Sequence, residues 1–258
     1  MKKVVFTIDL EEFDTPLDHG IKIDLEEQLK VSTEGMLRLK DFFDTNKIPA
    51  TIFCTGQYAI RNKQLMKDLA ACHEIGSHTM YHGSFDPKID LVKSREVLSK
   101  ITGQQILGFR MPRMANVQAR DILEAGFAYS ASINPTFIPG RYNNLNKPKF
   151  PFREDGLLQI PATVSPLIRF PLFWLSFKNL PLCLYQIFAN NSLNYYETIN
   201  LYFHPWEFAD LSSYEKIPKF IRKISGKDLL LKLSNFTDWL RTKNVIFTTF
   251  EKVYLNYD

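Results

Sequence analysis

Short apolar segments alternate with helical patterns along most of this 258-residue chain, and this alternation limits the fold more than any other feature. Residues 4–8, 50–54 and 245–250 are rich in β-branched and aromatic side chains, which is typical of buried strands. Apolar residues recur at helical spacing over about 25–45. Strands that alternate with helices predict parallel βα units. Because the length fits one α/β barrel, we predict a single domain over residues 1–258.

The composition is that of a soluble globular protein, with 45% hydrophobic and 23% charged residues. The net charge of +4 is spread along the chain and gives no concentrated surface for nucleic acid. The three cysteines are odd in number and lack metal-binding spacing, which favours a reducing compartment. No secretory signal precedes the first strand. We therefore expect a cytoplasmic protein.

Polar residues that could act in catalysis or bind a metal follow several predicted strands. In parallel α/β folds the functional groups gather at the carboxyl ends of the strands, so residues remote in sequence are expected to meet there. The residues in these positions are Asp9, Glu11, His78, Arg110, Ser130 and His204.

Two of the five histidines, His78 and His82, lie four residues apart. On a helical backbone this spacing puts both imidazoles on one face, where they could bind one cation. A surface helix that carries such a pair without a metal is the alternative.

The first strand ends in a run of acidic residues. Side chains in a strand alternate, so Asp9 and Glu11 point one way and Glu12 points the other. Asp9 and Glu11 could supply one metal ligand and one base. The alternative is an ordinary polar junction between a strand and a loop.

Residues 167–184 form an aromatic and apolar segment that is interrupted by three prolines, Pro166, Pro171 and Pro181, and by Arg169 and Lys178. It is too broken for a membrane span, which needs about 20 mostly apolar residues. Two interpretations remain open: a buried helix pair that caps the barrel, or an interfacial lid that contacts a membrane surface.

Five short motifs in order resemble those of the NodB-homology polysaccharide deacetylases, a carbohydrate esterase family. The closest in pattern is Ser-His-Thr-Met-Tyr-His at 77–82; the others lie at 7–11, 109–112, 126–132 and 201–206. The resemblance covers nearly the whole chain. It implies a distorted (β/α) barrel with about seven parallel strands, and one divalent metal ion, usually zinc.

The same resemblance implies a role for each motif residue. His78, His82 and an acidic residue of the first motif would bind the metal. Asp9 would be the general base, Arg110 would hold Asp9, and His204 would be the general acid. For Arg110 a structural ion pair is the alternative, and for His204 a packed position at a strand end.

Two positions depart from the commonest family pattern. Leu10 occupies the place of a second adjacent aspartate, so strand alternation favours Glu11 as the acidic ligand, with Glu12 as the fallback. Ser130 occupies a place that is often acidic, which would leave His204 without a partner if that acid normally orients it.

These residues predict a metal-dependent hydrolase that removes an N-acyl group from an amino sugar, with Tyr129 and Trp206 as candidate substrate contacts. A carbohydrate or lipid-linked sugar is the expected partner, with peripheral membrane contact through residues 167–184. The alternatives are a hydrolase of another carbon–nitrogen bond, such as that of a cyclic ureide, or a catalytically impaired carbohydrate-binding protein.

Overall fold

A computed structural model describes residues 1–254, so the predicted domain of residues 1–258 extends slightly beyond the described part. The strands are β1 (Lys3–Leu10), β2 (Ala50–Cys54), β3 (Glu74–Ser77), β4 (Gly108–Phe109), β5 (Tyr129–Ser130), β6 (Phe137–Ile138), β7 (Tyr142–Asn143), β8 (Phe152–Glu154), β9 (Leu157–Gln159), β10 (Thr198–Phe203) and β11 (Ile246–Phe247). The α-helices are α1 (Thr15–Asp18), α2 (Leu25–Asn46), α3 (Gly56–Arg61), α4 (Lys63–Ala70), α5 (Pro87–Thr102), α6 (Ala119–Glu124), α7 (Trp174–Asn179), α8 (Leu182–Tyr196), α9 (Lys219–Arg222), α10 (Gly226–Arg241) and α11 (Phe250–Tyr254).

Nine strands form one curled sheet with the order β10-β1-β2-β3-β4-β5-β9-β8, and β11 pairs with β1. The first seven strands in this order are parallel, whereas β8 is antiparallel to β9. The predicted distorted (β/α) barrel with about seven parallel strands is therefore confirmed. Between β9 and β10, hydrogen bonds that involve side chains link the two ends of the sheet: the Asn200 backbone N–H donates to Thr163 Oγ1 at 2.8 Å, and Asn200 Nδ2 donates to the Pro161 carbonyl at 2.9 Å.

The alternation of β1 explains how polar groups come to line the barrel. Phe6 and its alternate neighbours face the surrounding helices, and the Phe6 ring lies 6.0 Å from that of Phe43 on α2. Val5 faces the barrel interior, where it packs with Phe53 and Phe250. Residues further along the same face of β1 are polar, so an apolar base supports a polar upper layer at the carboxyl ends of the strands.

Helix α2 packs closely against the turn that follows β10. The N-terminus of α2 is capped by Asp24, whose side chain accepts from the Glu27 amide at 2.8 Å. A Cβ atom at Gly35 would lie 1.7 Å from the Pro205 carbonyl oxygen, so only glycine permits this approach. The helix thereby fixes the turn that carries the fifth motif.

Segment 167–184 combines features of both interpretations that the sequence left open. Phe177 on α7 is fully buried against Phe203 and Tyr185, as expected of a capping helix. Leu167 and Ile168 precede the helix and are 94% and 70% exposed. Within residues 1–254, no helix has the length and hydropathy that crossing a bilayer requires.

Candidate metal and catalytic site

Three side chains converge above the polar end of the barrel. The Glu11 carboxylate oxygen Oε2 lies 3.1 Å from His78 Nε2 and 2.9 Å from His82 Nε2. One ligand atom from each residue falls within a 4.8 Å cluster, and each side chain is nearly buried. Two neutral imidazoles and one carboxylate form a donor set that suits a divalent cation with an open coordination position.

The histidine pair meets through a loop that follows β3, and not on the helical backbone for which the spacing alone would place both imidazoles on one face. Residues 78–82 follow β3, and Thr79 has a left-handed backbone with φ of 67°. The loop is fixed because Gly56 N and Gln57 N donate to the carbonyls of Thr79 and Met80, each at 2.9 Å. These backbone bonds fold the segment so that both imidazoles face one point.

Hydrogen bonds on the far side of each ring set its tautomer. His78 Nδ1 lies 2.8 Å from the Arg110 carbonyl oxygen, which can only accept, so Nδ1 carries the proton. His82 Nδ1 lies 2.6 Å from Asp14 Oδ2 and is paired in the same way. When both rings are neutral, their Nε2 atoms offer lone pairs to the cluster, the arrangement that metal-binding histidines adopt.

The charge around the cluster favours a cation. Burial alone would raise the pKa of Glu11, but the facing imidazoles of His82, His204 and His78 hold it well below its usual value. Burial would lower the pKa of His82, but Glu11 and Asp14 together raise it to about 10. Without an ion, a proton on His82 therefore supplies the positive charge that Glu11 attracts, and a divalent ion would replace that proton. The residues present therefore fit a bound divalent ion.

Glu12 lies outside the cluster. Its Oε1 accepts from Thr55 Oγ1 at 2.9 Å, on the opposite side of the chain from Glu11, as strand alternation predicts. Burial raises the pKa of Glu12, which disfavours the charged form that a metal ligand requires.

Asp9 lies beside the cluster and is held by Arg110. Arg110 Nη1 donates to Asp9 Oδ1 at 2.6 Å and to Thr7 Oγ1 at 2.8 Å, and its Nε donates to the Ala131 carbonyl at 3.0 Å. The guanidinium is buried and stacks on the Phe53 ring at 4.3 Å. This network fixes Asp9 and leaves its Oδ2 directed to the other side, 4.0 Å from His204 Nε2.

His204 faces both carboxylates. Its Nε2 lies 4.0 Å from Asp9 Oδ2 and 4.0 Å from Glu11 Oε1, while Nδ1 lies 3.1 Å from Glu207 Oε1. Burial alone would lower the pKa of His204, but Glu11 and Glu207 raise it above its usual value. His204 was expected to lack a partner because Ser130 occupies the acidic place of the family pattern; Glu207, four positions after Phe203 at the end of β10, supplies that partner.

A buried lysine, Lys178, lies behind the His204–Glu207 pair. Lys178 Nζ on α7 lies 3.6 Å from Glu207 Oε2 and donates to the Ile221 carbonyl at 2.6 Å. Both Lys178 and Glu207 are fully buried. Burial lowers the pKa of Lys178 against the opposing attraction of Glu207. Sequence spacing gave no signal for this pair, since Lys178 lies in an irregular segment far from His204.

Tyr129 and Trp206 do not occupy the positions expected of sugar contacts. Tyr129 is buried in the barrel base and donates to Glu74 Oε1 at 2.5 Å, because its place on β5 points it down among the core side chains. Trp206 borders the cavity but is only 2% exposed. Its ring is stacked on His204 at 5.1 Å and packs on Phe13 at 5.4 Å, and its Nε1 donates to Glu11 Oε1 at 3.2 Å.

A cavity of about 350 Å³ opens over the convergent groups. Three aromatic residues that border it are partly exposed, Tyr142, Trp174 and Phe220, and the sequence did not single out Trp174. Trp174 packs edge-on against His204 and Trp206, at 5.2 and 5.4 Å between ring centroids. Asp14 also borders the cavity and was missed, because a carboxylate in a loop carries no distinctive sequence pattern.

A family model described as "Polysaccharide deacetylase" matches residues 30–125, which include His78, His82 and Arg110. None of the curated proteins matches the sequence.

Solved structures resemble the chain over almost its whole length. A structure described as a putative polysaccharide deacetylase from Mycobacterium smegmatis has 18% identity, a TM-score of 0.66, and covers 97% of this chain and 88% of its own. The Puue allantoinase has 16% identity with the same coverage and TM-score. A peptidoglycan N-acetylglucosamine deacetylase has 14% identity, a TM-score of 0.55, and coverage of 98% and 88%. At these identities the likeness establishes the fold.

Proposed function

We propose that this chain is a member of the polysaccharide deacetylase family and that it removes an N-acyl group, acetyl in the simplest case, from an amino sugar. Membership of that family implies a hydrolase of carbon–nitrogen bonds other than peptide bonds, as the sequence predicts. The single observation that carries the proposal is the convergence of Glu11, His78 and His82 beside Asp9 and His204.

Each side chain has a task in the proposed reaction. Glu11, His78 and His82 would hold one divalent ion, for which zinc is our proposal. Such an ion supplies a Lewis acid that lowers the pKa of water and polarises an acyl carbonyl. Asp9 takes the proton of the attacking water through Oδ2, the oxygen that Arg110 does not bind.

His204 completes the proton transfers. An amine leaves poorly as an anion, so its nitrogen must gain a proton as the carbon–nitrogen bond breaks. His204 Nε2 faces the space between Asp9 and Glu11, and Glu207 on Nδ1 favours the protonated ring that can donate. The partly exposed ring of Trp174, which packs against His204, is our candidate for contact with the sugar, in place of Trp206 and Tyr129.

A direct experiment measures zinc content and acetate release from N-acetylglucosamine and its short oligomers. We expect about one zinc per chain, and loss of both zinc and turnover in His78→Ala. His19→Ala is the matched control, since His19 borders the same cavity but lies outside the cluster. Full activity in a stringently metal-free preparation would refute the proposal.

Hydrolysis of a cyclic ureide is the second candidate, favoured by the allantoinase that shares the fold at a TM-score of 0.66. Including allantoin in the substrate panel separates the two. Ring opening of allantoin without acetate release from any sugar would establish the second candidate. Saturable sugar binding without any hydrolysis would instead identify a carbohydrate-binding protein.

We also propose peripheral membrane contact through segment 167–184 and a lipid-linked sugar as substrate. The nearly full exposure of Leu167 and Ile168 supports contact with an acyl-chain boundary. Sedimentation with anionic phospholipid vesicles tests this, using Leu167→Ser/Ile168→Ser against the unmodified protein. Unchanged partitioning would dismiss the contact.

A cytoplasmic location remains our proposal. Cys54, Cys72 and Cys183 are all free, and the last two are exposed, which suits a reducing compartment. Fractionation of cells that express the native gene, with detection of the protein in the cytosolic and membrane fractions, tests it; recovery outside the cytoplasm would contradict it.

A further inference from the structure

A second cavity, of about 740 Å³, adjoins the one over the candidate metal cluster. The two share part of their lining, in which Arg113, Met114, Arg141 and Tyr142 border both. A ligand held over the metal cluster could therefore extend past these residues into the larger cavity. No role in the proposed hydrolysis accounts for this second space.

Its lining carries more positive than negative charge. Arg113 is paired with Asp14 at 3.2 Å, and Lys147 with Glu154 at 3.4 Å. Arg141 has no carboxylate within 4.0 Å in the part of the chain that the structure describes. An exposed guanidinium on the shared border, with its charge uncompensated, is suited to bidentate pairing with a phosphate or carboxylate.

A buried acceptor lies on the same lining. Gln159 is 3% exposed, and its Nε2 donates to Glu154 Oε2 at 3.0 Å. Because a carboxylate only accepts, this bond fixes the amide orientation and leaves Gln159 Oε1 buried without a partner. A buried oxygen without a donor costs free energy that a ligand hydroxyl would recover.

Ser130, which occupies a place that is often acidic in the family pattern, lies on the lining of the larger cavity. Its hydroxyl lies 2.9 Å from that of Ser132. An acidic residue in this place would add negative charge to the lining. The serine keeps the surroundings of Arg141 open to an anion and contributes a further hydroxyl.

We propose that the larger cavity binds an anionic group, a phosphate or a carboxylate, that the substrate carries next to its N-acylated sugar. Arg141 pairs with that group, and Gln159 Oε1 accepts from a neighbouring hydroxyl. This inference rests on the proposed function, since it names the class of substrate for the same site.

Calorimetry on the zinc-loaded protein tests the anion preference with three deacylated sugars that cannot be hydrolysed. Glucosamine is the neutral-substituent reference, glucosamine 1-phosphate carries a phosphate, and muramic acid carries a carboxylate. We expect at least one acidic sugar to bind about tenfold more tightly than glucosamine, as one charge-assisted pair implies, and we expect salt to weaken this preference. The better acidic sugar identifies the group.

Substitutions of Arg141 test whether this residue causes the preference for acidic sugars. Arg141→Ala should abolish the preference for the acidic sugar over glucosamine, and Arg141→Glu should reverse it. Arg120→Ala is the matched control, an exposed arginine on α6 that borders neither cavity. Equal affinity for all three sugars, or a preference that survives in Arg141→Ala, would overturn the inference.

Acetate release is measured separately on the N-acetylated forms of the same sugars. If acidic sugars bind preferentially through Arg141 but no acetate appears, the proposed hydrolysis fails and the anion site stands. If acetate appears at equal catalytic efficiency from neutral and acidic sugars, the hydrolysis stands and the anion site fails.

Discussion

The two sides of the candidate site are built in different ways. On the cation side, Glu11, His78 and His82 come from the ends of β1 and β3, and their supporting groups, Asp14 and the Arg110 carbonyl, lie in adjacent loops. On the proton-donor side, His204 depends on Glu207, and Glu207 faces Lys178 on helix α7.

We infer from this difference that metal binding and proton transfer depend on separate groups of residues. The cation side supplies the metal ligands, from the ends of β1 and β3 on either side of β2, so changes there should act on metal affinity. The proton-donor side is supported by a buried ion pair from a remote helix, so changes there should act on turnover while metal content persists. The predictions below test that separation.

The largest effect is expected for Glu11→Gln, which removes the carboxylate that both imidazoles face. Loss of a Lewis acid worth several kcal/mol should reduce acetate release by about a thousandfold, with loss of zinc. Glu12→Gln is the matched control and should keep its zinc, because Glu12 binds Thr55 instead. The reverse pattern, with zinc lost only in Glu12→Gln, would contradict the arrangement.

The next effect is expected for His204→Asn, which removes the proton donor. A positioned general acid contributes about 10² or more to the rate, so kcat should fall by at least about a hundredfold. Zinc content measured by atomic absorption should stay near that of the unmodified protein. Simultaneous loss of zinc would show that the two sides are not separable.

A smaller effect is expected for Asp14→Asn. Asp14 fixes the His82 ring from behind at 2.6 Å, and such supporting groups change metal affinity by about 10–100-fold. Zinc affinity, measured by competition with a chelator, should weaken by that factor, and excess zinc should restore turnover. Turnover that stays low at saturating zinc would instead give Asp14 a part in the chemistry.

The smallest effect is expected for Trp206→Phe. The indole nitrogen donates one bond to Glu11, so zinc affinity should fall by less than about tenfold. KM should stay unchanged, because both faces of the ring are already covered. Trp174→Ala is the comparison and should raise KM. A raised KM in Trp206→Phe alone would restore Trp206 as the sugar contact.

Local spacing, above all the alternation of side chains along a strand, explains most of what the sequence could predict. The alternation of β1 placed Asp9 and Glu11 on one face and Glu12 on the other, and the structure has them so. The helix predicted over about 25–45 is present as α2. Both results follow from local spacing, which a single sequence records directly.

Tertiary contacts explain what the sequence could not predict. His78 and His82 converge because hydrogen bonds from the backbone of α3 fold a loop with Thr79 in a left-handed conformation, which their spacing alone does not indicate. Tyr129 is directed into the core by the register of a two-residue strand. The Glu207–Lys178 pair joins segments that share no local pattern, so only the fold brings them together.

Anomalous diffraction at the zinc edge, from crystals of the zinc-loaded protein, tests the central claim most directly. We predict one strong peak that marks a zinc ion at about 2.0–2.1 Å from the Nε2 atoms of His78 and His82. The Glu11 carboxylate should coordinate this ion, and Asp9 should not. A peak that lies elsewhere, or that contacts Glu12 in place of Glu11, would contradict it.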